Sequence, residues 1–274
     1  MTINCKGELI DLSRPRIMGI LNVTPNSFYD GGKYKTDIDF LNQTEKMLKE
    51  GADFIDVGAY SSKPSAEFVE EEDELKRLVG VVSLLVQAFP QLKISIDTFR
   101  AKVAKEAIEA GAAIVNDIAA GLLDEQMMEV VGQLQVPYIM MHMRGNPQTM
   151  QSLTDYEDLI VAMRYYFSER LAKARAAKIN DVILDPGFGF AKTRQQNYEL
   201  MAKLEHFHHF DLPLLVGVSR KSMIYNLLGC TAQEALNGTS VLHTVALQKG
   251  AQILRVHDVK EANEVRKILN QLMI

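Results

Sequence analysis

Short runs of β-branched and other apolar residues alternate with longer stretches whose apolar positions recur at helical spacing, and this rhythm continues along the whole chain. Eight runs read as strands: 17–21, 54–57, 93–96, 113–115, 138–141, 182–184, 214–216 and 253–256. Between them the spacing predicts helices, among them 39–50, 70–89, 100–110, 156–177 and 233–249. Gly51, Gly111 and Gly250 stand where three of these stop, as left-handed C-terminal residues. No linker rich in Ser, Pro or Gly interrupts the pattern, so residues 1–274 are expected to form one α/β domain. Consecutive βα units of this number close most simply into a (β/α)8 TIM barrel; a doubly wound open sheet is the other arrangement the alternation allows. Residues 3–12 precede the first barrel strand and predict a short N-terminal hairpin around Lys6-Gly7-Glu8.

Composition narrows the partners. Hydrophobic residues make up 47% and charged residues 24%, an ordinary globular balance. The net charge of -5 comes from 30 basic residues scattered among 35 acidic ones, without a basic run, which points away from nucleic acid and towards a small molecule. The longest apolar stretch, 79–89, is broken by Ser83 and Gln87 and is too short to span a bilayer. The N-terminus has no apolar leader core, so no membrane partner and a cytoplasmic location are expected. Cys5 and Cys230 lie far apart without metal-ligand spacing.

The polar residues gather at the C-terminal ends of the predicted strands. The first strand leads into Asn22-Val23-Thr24-Pro25-Asn26-Ser27-Phe28-Tyr29-Asp30-Gly31-Gly32, too long for a minimal connection. The second ends at Asp56 and opens into Gly58-Ala59-Tyr60-Ser61-Ser62-Lys63-Pro64-Ser65, whose small residues let backbone approach a phosphate. Later strands end at Asp97-Thr98, Asn116-Asp117 and Asp185-Pro186-Gly187-Phe188-Gly189-Phe190. The last two lead to Ser219-Arg220-Lys221-Ser222 and Arg255-Val256-His257-Asp258.

Residues at strand ends often only cap the next helix, and that reading suits Thr98, Asp117, Ser222 and Asp258. It suits Asp56, Asp97, Asn116 and Asp185 less well, because carboxylates directly after apolar runs are costly at a barrel mouth unless they have partners. Asp97, Asn116 and Asp185 offer acceptor and amide groups for the edge of a nitrogen heterocycle. Lys221, Arg255 and His257 offer donors for anionic oxygens. Met140, Met141 and Met143 around His142 suit an apolar slot for a flat ring. His206-Phe207-His208-His209 reads as a solvated helix end, and Glu70-Glu71-Glu72-Asp73-Glu74 as a solvated helix start favoured by the macrodipole.

Together with Met18-Gly19-Ile20-Leu21 and Met141-His142-Met143, these motifs occur in an order that resembles the dihydropteroate synthase family over essentially the whole chain. The resemblance implies condensation of 6-hydroxymethyl-7,8-dihydropterin diphosphate with p-aminobenzoate, giving 7,8-dihydropteroate and pyrophosphate. It implies that Asp97, Asn116, Asp185 and Lys221 grip the pterin, with Met141 and Phe190 lining the adjoining pockets. It places Asn22 on Mg²⁺ carried by the diphosphate, and Ser62, Arg255 and His257 on diphosphate oxygens. Ser222, Phe190 and Pro64 would receive p-aminobenzoate. Asp97, Asp30 and Lys221 would serve catalysis, the two carboxylates by stabilising a carbocation-like pterin, and the protein would be a homodimer. The chain departs from the family's commonest pattern at Asn26 and along 59–65, where Lys63 replaces an arginine and loses its planar fork. A pterin-dependent methyltransferase domain and a non-catalytic pterin-binding module are the alternatives that share the pterin grip.

Overall fold

The computed structural model describes residues 1–23, 36–59 and 69–272. Strands β1 (Thr2–Cys5) and β2 (Glu8–Asp11) pair antiparallel in the register Cys5↔Glu8. The turn between them, Lys6-Gly7, has φ of 55° and 85°, which is the two-residue geometry matching strand twist.

The eight barrel strands are β3 (Arg16–Asn22), β4 (Phe54–Gly58), β5 (Lys93–Asp97), β6 (Ile114–Asp117), β7 (Tyr138–Met141), β8 (Val182–Asp185), β9 (Leu215–Val216) and β10 (Ile253–Val256). They pair in parallel in the order β8-β7-β6-β5-β4-β3-β10-β9. A parallel bridge Leu184↔Leu214, with Leu184 N–H donating to the Pro213 carbonyl at 2.9 Å, joins the two ends, so the sheet is a barrel and not the open alternative. Strands β4, β6, β7 and β8 are buried at every position, as expected where helices cover one face and other strands the opposite one.

The described helices are α1 (Asp37–Glu50), α2 (Glu71–Ala88), α3 (Ala101–Glu109), α4 (Met127–Leu134), α5 (Leu159–Ala176), α6 (Arg194–Ala202), α7 (Ser222–Leu228), α8 (Leu236–Gln248) and α9 (Val259–Leu272). Capping boxes start α1 at Thr36 with Asp39 and α6 at Thr193 with Gln196. Gly51, Gly111 and Gly250 all have positive φ, as their place at helix ends requires. The predicted 156–177 helix begins later, at Leu159, because the Asp158 carboxylate caps it through Val161 N–H. Among the described helices none is long and apolar enough to cross a membrane.

The hairpin decides which end of the barrel is free. Ile3, Cys5 and Leu12 pack with Met18, Phe54, Ile114, Ile139, Ile183, Leu215 and Ile253, which lie at or near the N-terminal ends of their strands. Asn4 N–H also donates to Asp181 at 2.9 Å. The hairpin therefore plugs the N-terminal end, and polar residues at the opposite end form the rim.

Candidate active site

Strand register places the rim residues in line. Asn22 pairs with Gly58, Gly58 with Asp97, Asp97 with Asn116, and Met141 with Asp185. At the centre stands Arg255 of β10, whose Nε donates to Asp56 Oδ2 and whose Nη2 donates to Asp97 Oδ2, each at 2.6 Å. Asn116 Nδ2 donates to the same Asp56 oxygen at 3.0 Å, while Asp56 Oδ1 is buried without a partner. Asp56, wholly buried, thus ties β4, β6 and β10 together and leaves Asp97 partly exposed to the barrel mouth.

On the other side, Asp185 accepts from the Gly187 N–H at 2.7 Å. Lys221 donates to the Phe188 carbonyl, and its Nζ sits 4.9 Å from the centre of the Phe190 ring. Met141 and Met143 join Ile118, Ala119, Met150 and Ala191 in a small apolar cluster against which Phe190 packs, whereas Met140 belongs to the main core. An apolar slot next to the carboxylates is what a flat heterocycle needs. His257 is half-buried, with its main-chain N–H donating to Ser219 Oγ at 3.2 Å, and Ser222 is exposed at the start of α7. Asn22 ends β3. Asp30, Ser62 and Pro64 lie outside the described residues, as do Asn26, Tyr60 and Lys63.

Burial dominates the electrostatics. It pushes Asp97 up to about 7 against the pull of Arg255, and Asp56 adds to the rise. It also raises Asp185, opposed by Lys221, the Gly187 N–H, Arg255 and Lys192. It lowers Lys221 to about 8, although Asp185 resists. Burial works against the charge of Arg255 too, but Asp56 and Asp97 outweigh it and hold the guanidinium protonated. The site is a row of acids, with Arg255 between Asp56 and Asp97 and Lys221 beside Asp185, able to hold a flat polar ring and an anionic tail at once.

Several residues behave differently from their sequence reading. The Thr98 hydroxyl accepts from the Arg100 N–H at 3.2 Å at the start of α3, and it also donates to Glu74 at 2.6 Å. Glu74 in turn leaves the solvated acid run, being fully buried and paired with Arg100 at 2.5 Å, because the first turn of α2 aims that position inward. Ser222 is the first residue of α7 and Lys221 occupies the cap position without a side-chain cap bond. Asp258 stands directly before α9, where a cap would stand, and its carboxylate also makes a bidentate pair with Arg220 at 2.8 and 2.9 Å. Asp117 does anchor a turn, accepting from Ala119 and Gly121 N–H and from the Tyr138 hydroxyl. His206, His208 and His209 are exposed, and among the described residues no group of His, Cys, Asp or Glu converges as a metal site.

The sequence reading also missed Lys192, a buried cation behind the Asp185 loop whose Nζ reaches His142 Nδ1 at 3.0 Å. Its only signal was a lone lysine directly after the small and apolar residues Gly189-Phe190-Ala191.

Residues 18–257 match the family described as pterin binding enzyme. A dihydropteroate synthase from Escherichia coli K12 is 44% identical over 271 residues, covering 98% of this chain and 95% of that protein. One from Synechocystis is 43% identical over 262 residues, covering 94% and 90%. The Yersinia pestis dihydropteroate synthase, solved in complex with a sulfonamide drug, superposes with a TM-score of 0.96 at 42% identity, covering 100% of this chain and 99% of that one. The Xanthomonas albilineans dihydropteroate synthase, solved with 4-aminobenzoic acid, gives a TM-score of 0.91 at 35% identity, covering 99% and 98%.

Proposed function

Because the chain belongs to the dihydropteroate synthase family of pterin-binding enzymes, we propose that its rim holds a pterin diphosphate and p-aminobenzoate in the roles derived below. The enzyme condenses 6-hydroxymethyl-7,8-dihydropterin diphosphate with p-aminobenzoate to 7,8-dihydropteroate and pyrophosphate, a transferase step of folate synthesis. The observation that carries the residue assignment is the meeting of Asp97, Asn116, Asp185 and Lys221 around one mouth with Arg255 bound to Asp97.

Asp185 and Asn116 present acceptors and an amide to the amino and ring N–H edge of the pterin, and Lys221 donates to its ring acceptors. Met141 and Phe190 cover the ring faces. Arg255 and His257 supply donors for the diphosphate. The methylene C–O bond breaks with its electron pair leaving on pyrophosphate, and the aniline nitrogen forms the new C–N bond, releasing its proton to the departing pyrophosphate or water. Positive charge grows on the pterin between these events, and ionised Asp97 stabilises it. No protein nucleophile is needed. Ser222 and Phe190 receive p-aminobenzoate, while Asp30 and Ser62, outside the described residues, keep the roles the family resemblance implies.

Asn22 offers one neutral amide oxygen at the end of β3, beside Gly58. That donor fits a Mg²⁺ carried by the diphosphate, since this ion keeps water and phosphate oxygens beside one or two protein ligands. When bound, it neutralises charge on the leaving group. A homodimer is supported by exposed Leu227, Leu228 and Val241 on α7 and α8. A reducing, cytoplasmic setting is supported by two free cysteines, of which Cys5 is buried with its thiol pushed up to about 12, chiefly by that burial.

Mixing protein, pterin diphosphate, p-aminobenzoate and Mg²⁺ releases pyrophosphate on this reading, and Asp185→Asn loses pterin binding. Pyrophosphate release by Asp185→Asn at the wild-type rate and affinity removes Asp185 from the site.

A further inference from the structure

Between Asp185 and α6 side chains bind main-chain atoms at each of the five residues Gly187 to Ala191. The Phe188 carbonyl accepts from Lys221, the Gly189 N–H donates to Asn197 Oδ1 at 2.6 Å, and the Ala191 carbonyl accepts from the Tyr156 hydroxyl at 2.9 Å. The Gly187 and Phe190 carbonyls accept from Lys192 Nζ at 2.9 and 3.0 Å, and the same Nζ meets His142 Nδ1 at 3.0 Å. An ammonium carries three N–H donors, and all are used. Lys192 is only 5% exposed.

None of those three acceptors is a carboxylate. Burial, then the charge of Lys192, holds His142 well below its ordinary range, so its ring is neutral and accepts. A cation placed on two carbonyls and an imidazole gains no contact ion pair to offset its desolvation. An apolar side chain of the same length would leave those acceptors without their donor, so the ammonium holds the turn as well as filling the space. The turn is also tightly seated: Gly187 has φ 69°, and a Cβ there would come within 2.2 Å of the His142 carbonyl.

We infer that Lys192 is a positioning residue for the reaction: from behind the pocket wall it fixes the Gly187–Phe190 turn and lends Asp185 a positive charge beside those of Lys221 and Arg255. The turn presents the Phe190 ring and the Phe188 carbonyl to Lys221, so both the pterin and p-aminobenzoate pockets depend on it. Asp185 is faced by Lys221 from the start of α7, by Arg255 from β10, and by the Gly187 N–H and Lys192 from its own turn. Lys192 itself is faced by Asp185, Lys221, Arg144 and His142; burial pulls its ammonium down to about 7, so it carries its charge on the acid side of that value, where Asp185 takes up its proton. This rests on the ligand roles proposed for Asp185, Phe190 and Lys221.

The test compares wild type, Lys192→Met, Lys192→Gln and Asp185→Asn, using 6-hydroxymethylpterin as the binding probe at pH values on both sides of about 7, where Lys192 gains its charge. Lys192→Met raises the KM for p-aminobenzoate roughly tenfold to a hundredfold, as expected when a supporting contact shifts a pocket wall. Both Lys192 variants move the acid limb of pterin binding to higher pH, because Asp185 loses a neighbouring cation. Lys192→Gln retains two donors and keeps more of the KM, while showing the same pH shift. Should Lys192→Met fail to fold, the Gln variant is read on both measures. Asp185→Asn with undiminished pterin affinity refutes the pocket assignment, and the inference falls with it. Loss of pterin binding in Asp185→Asn, together with wild-type KM and acid limb in the Lys192 variants, overturns the inference alone, even if their melting temperature drops.

Discussion

Asp56→Asn probes the hub that holds Arg255 between the two halves of the site. The carboxylate accepts on a single oxygen from Arg255 Nε at 2.6 Å and Asn116 Nδ2 at 3.0 Å. An amide keeps one acceptor, loses the charge, and turns its NH₂ towards the position where Oδ1 now has no partner. A hydrogen bond involving a charged group contributes about 1.5–3 kcal/mol net. Arg255 retains Asp97 at 2.6 Å and its side chain is 22% exposed, so it is not stranded. The cost therefore stays below the roughly 3–5 kcal/mol of an orphaned buried charge. We expect a loss of about 2 kcal/mol in folding free energy, read from urea unfolding of the ligand-free protein. The guanidinium is also released towards Asp97, which lowers kcat/KM for the pterin diphosphate by a similar energy, roughly thirtyfold. The variant carries a pH signature as well. The Asp56 charge helps raise Asp97, after the larger effect of burial, so its removal moves the acid limb of kcat/KM to lower pH. Wild-type stability, or an acid limb that stays in place, refutes the hub.

In wild type, kcat/KM rises as Asp97 ionises through about 7 and falls as Lys221 loses its proton above about 8; a profile flat across this range contradicts both assignments. The raised carboxyl of Asp97 also favours the folded state when protonated. Its contribution is complete below the unfolded value of about 4 and is lost as pH rises through the folded value of about 7, so urea midpoints fall across that window relative to Asp97→Asn. Ser95 is fully buried with no partner for its hydroxyl, and Ser95→Ala is expected to stabilise the protein by about 1 kcal/mol in the same assay. Gly187→Ala forces a side chain onto the His142 carbonyl at a left-handed φ; calorimetry should show pterin binding lost together with about 2 kcal/mol or more of stability, and intact binding would mean the turn can shift freely.

How much was legible in the sequence depended on how local the cause was. Strands such as 54–57 and 253–256 show as apolar runs, and the stop at Gly51 follows from one residue's φ, so βα order was readable. Helix α3 shows apolar residues at helical spacing within nine residues, whereas α6, of the same length, buries only Asn197, Leu200 and Met201 and offers no such face. The 233–249 helix is observed as α8, which starts three residues later, at Leu236. The rim acids were readable because a carboxylate after an apolar run is costly anywhere in a chain. Asp56, by contrast, could be placed at the rim but not ranked above its neighbours, since its partners lie 60 and 199 residues away.

What the sequence by itself determined was therefore the barrel's order of elements and the types of chemical group at its mouth, both set by short-range hydrophobic period and turn chemistry. Only the tertiary structure decided the partners. It closed the barrel through Leu184 and Leu214, buried Glu74 against Arg100, joined Arg255 to Asp56 and Asp97, and put Lys192 behind Asp185. Pairings of this kind depend on the loss of water around groups distant in the chain. That loss exists only once the strands are in register and the helices cover them.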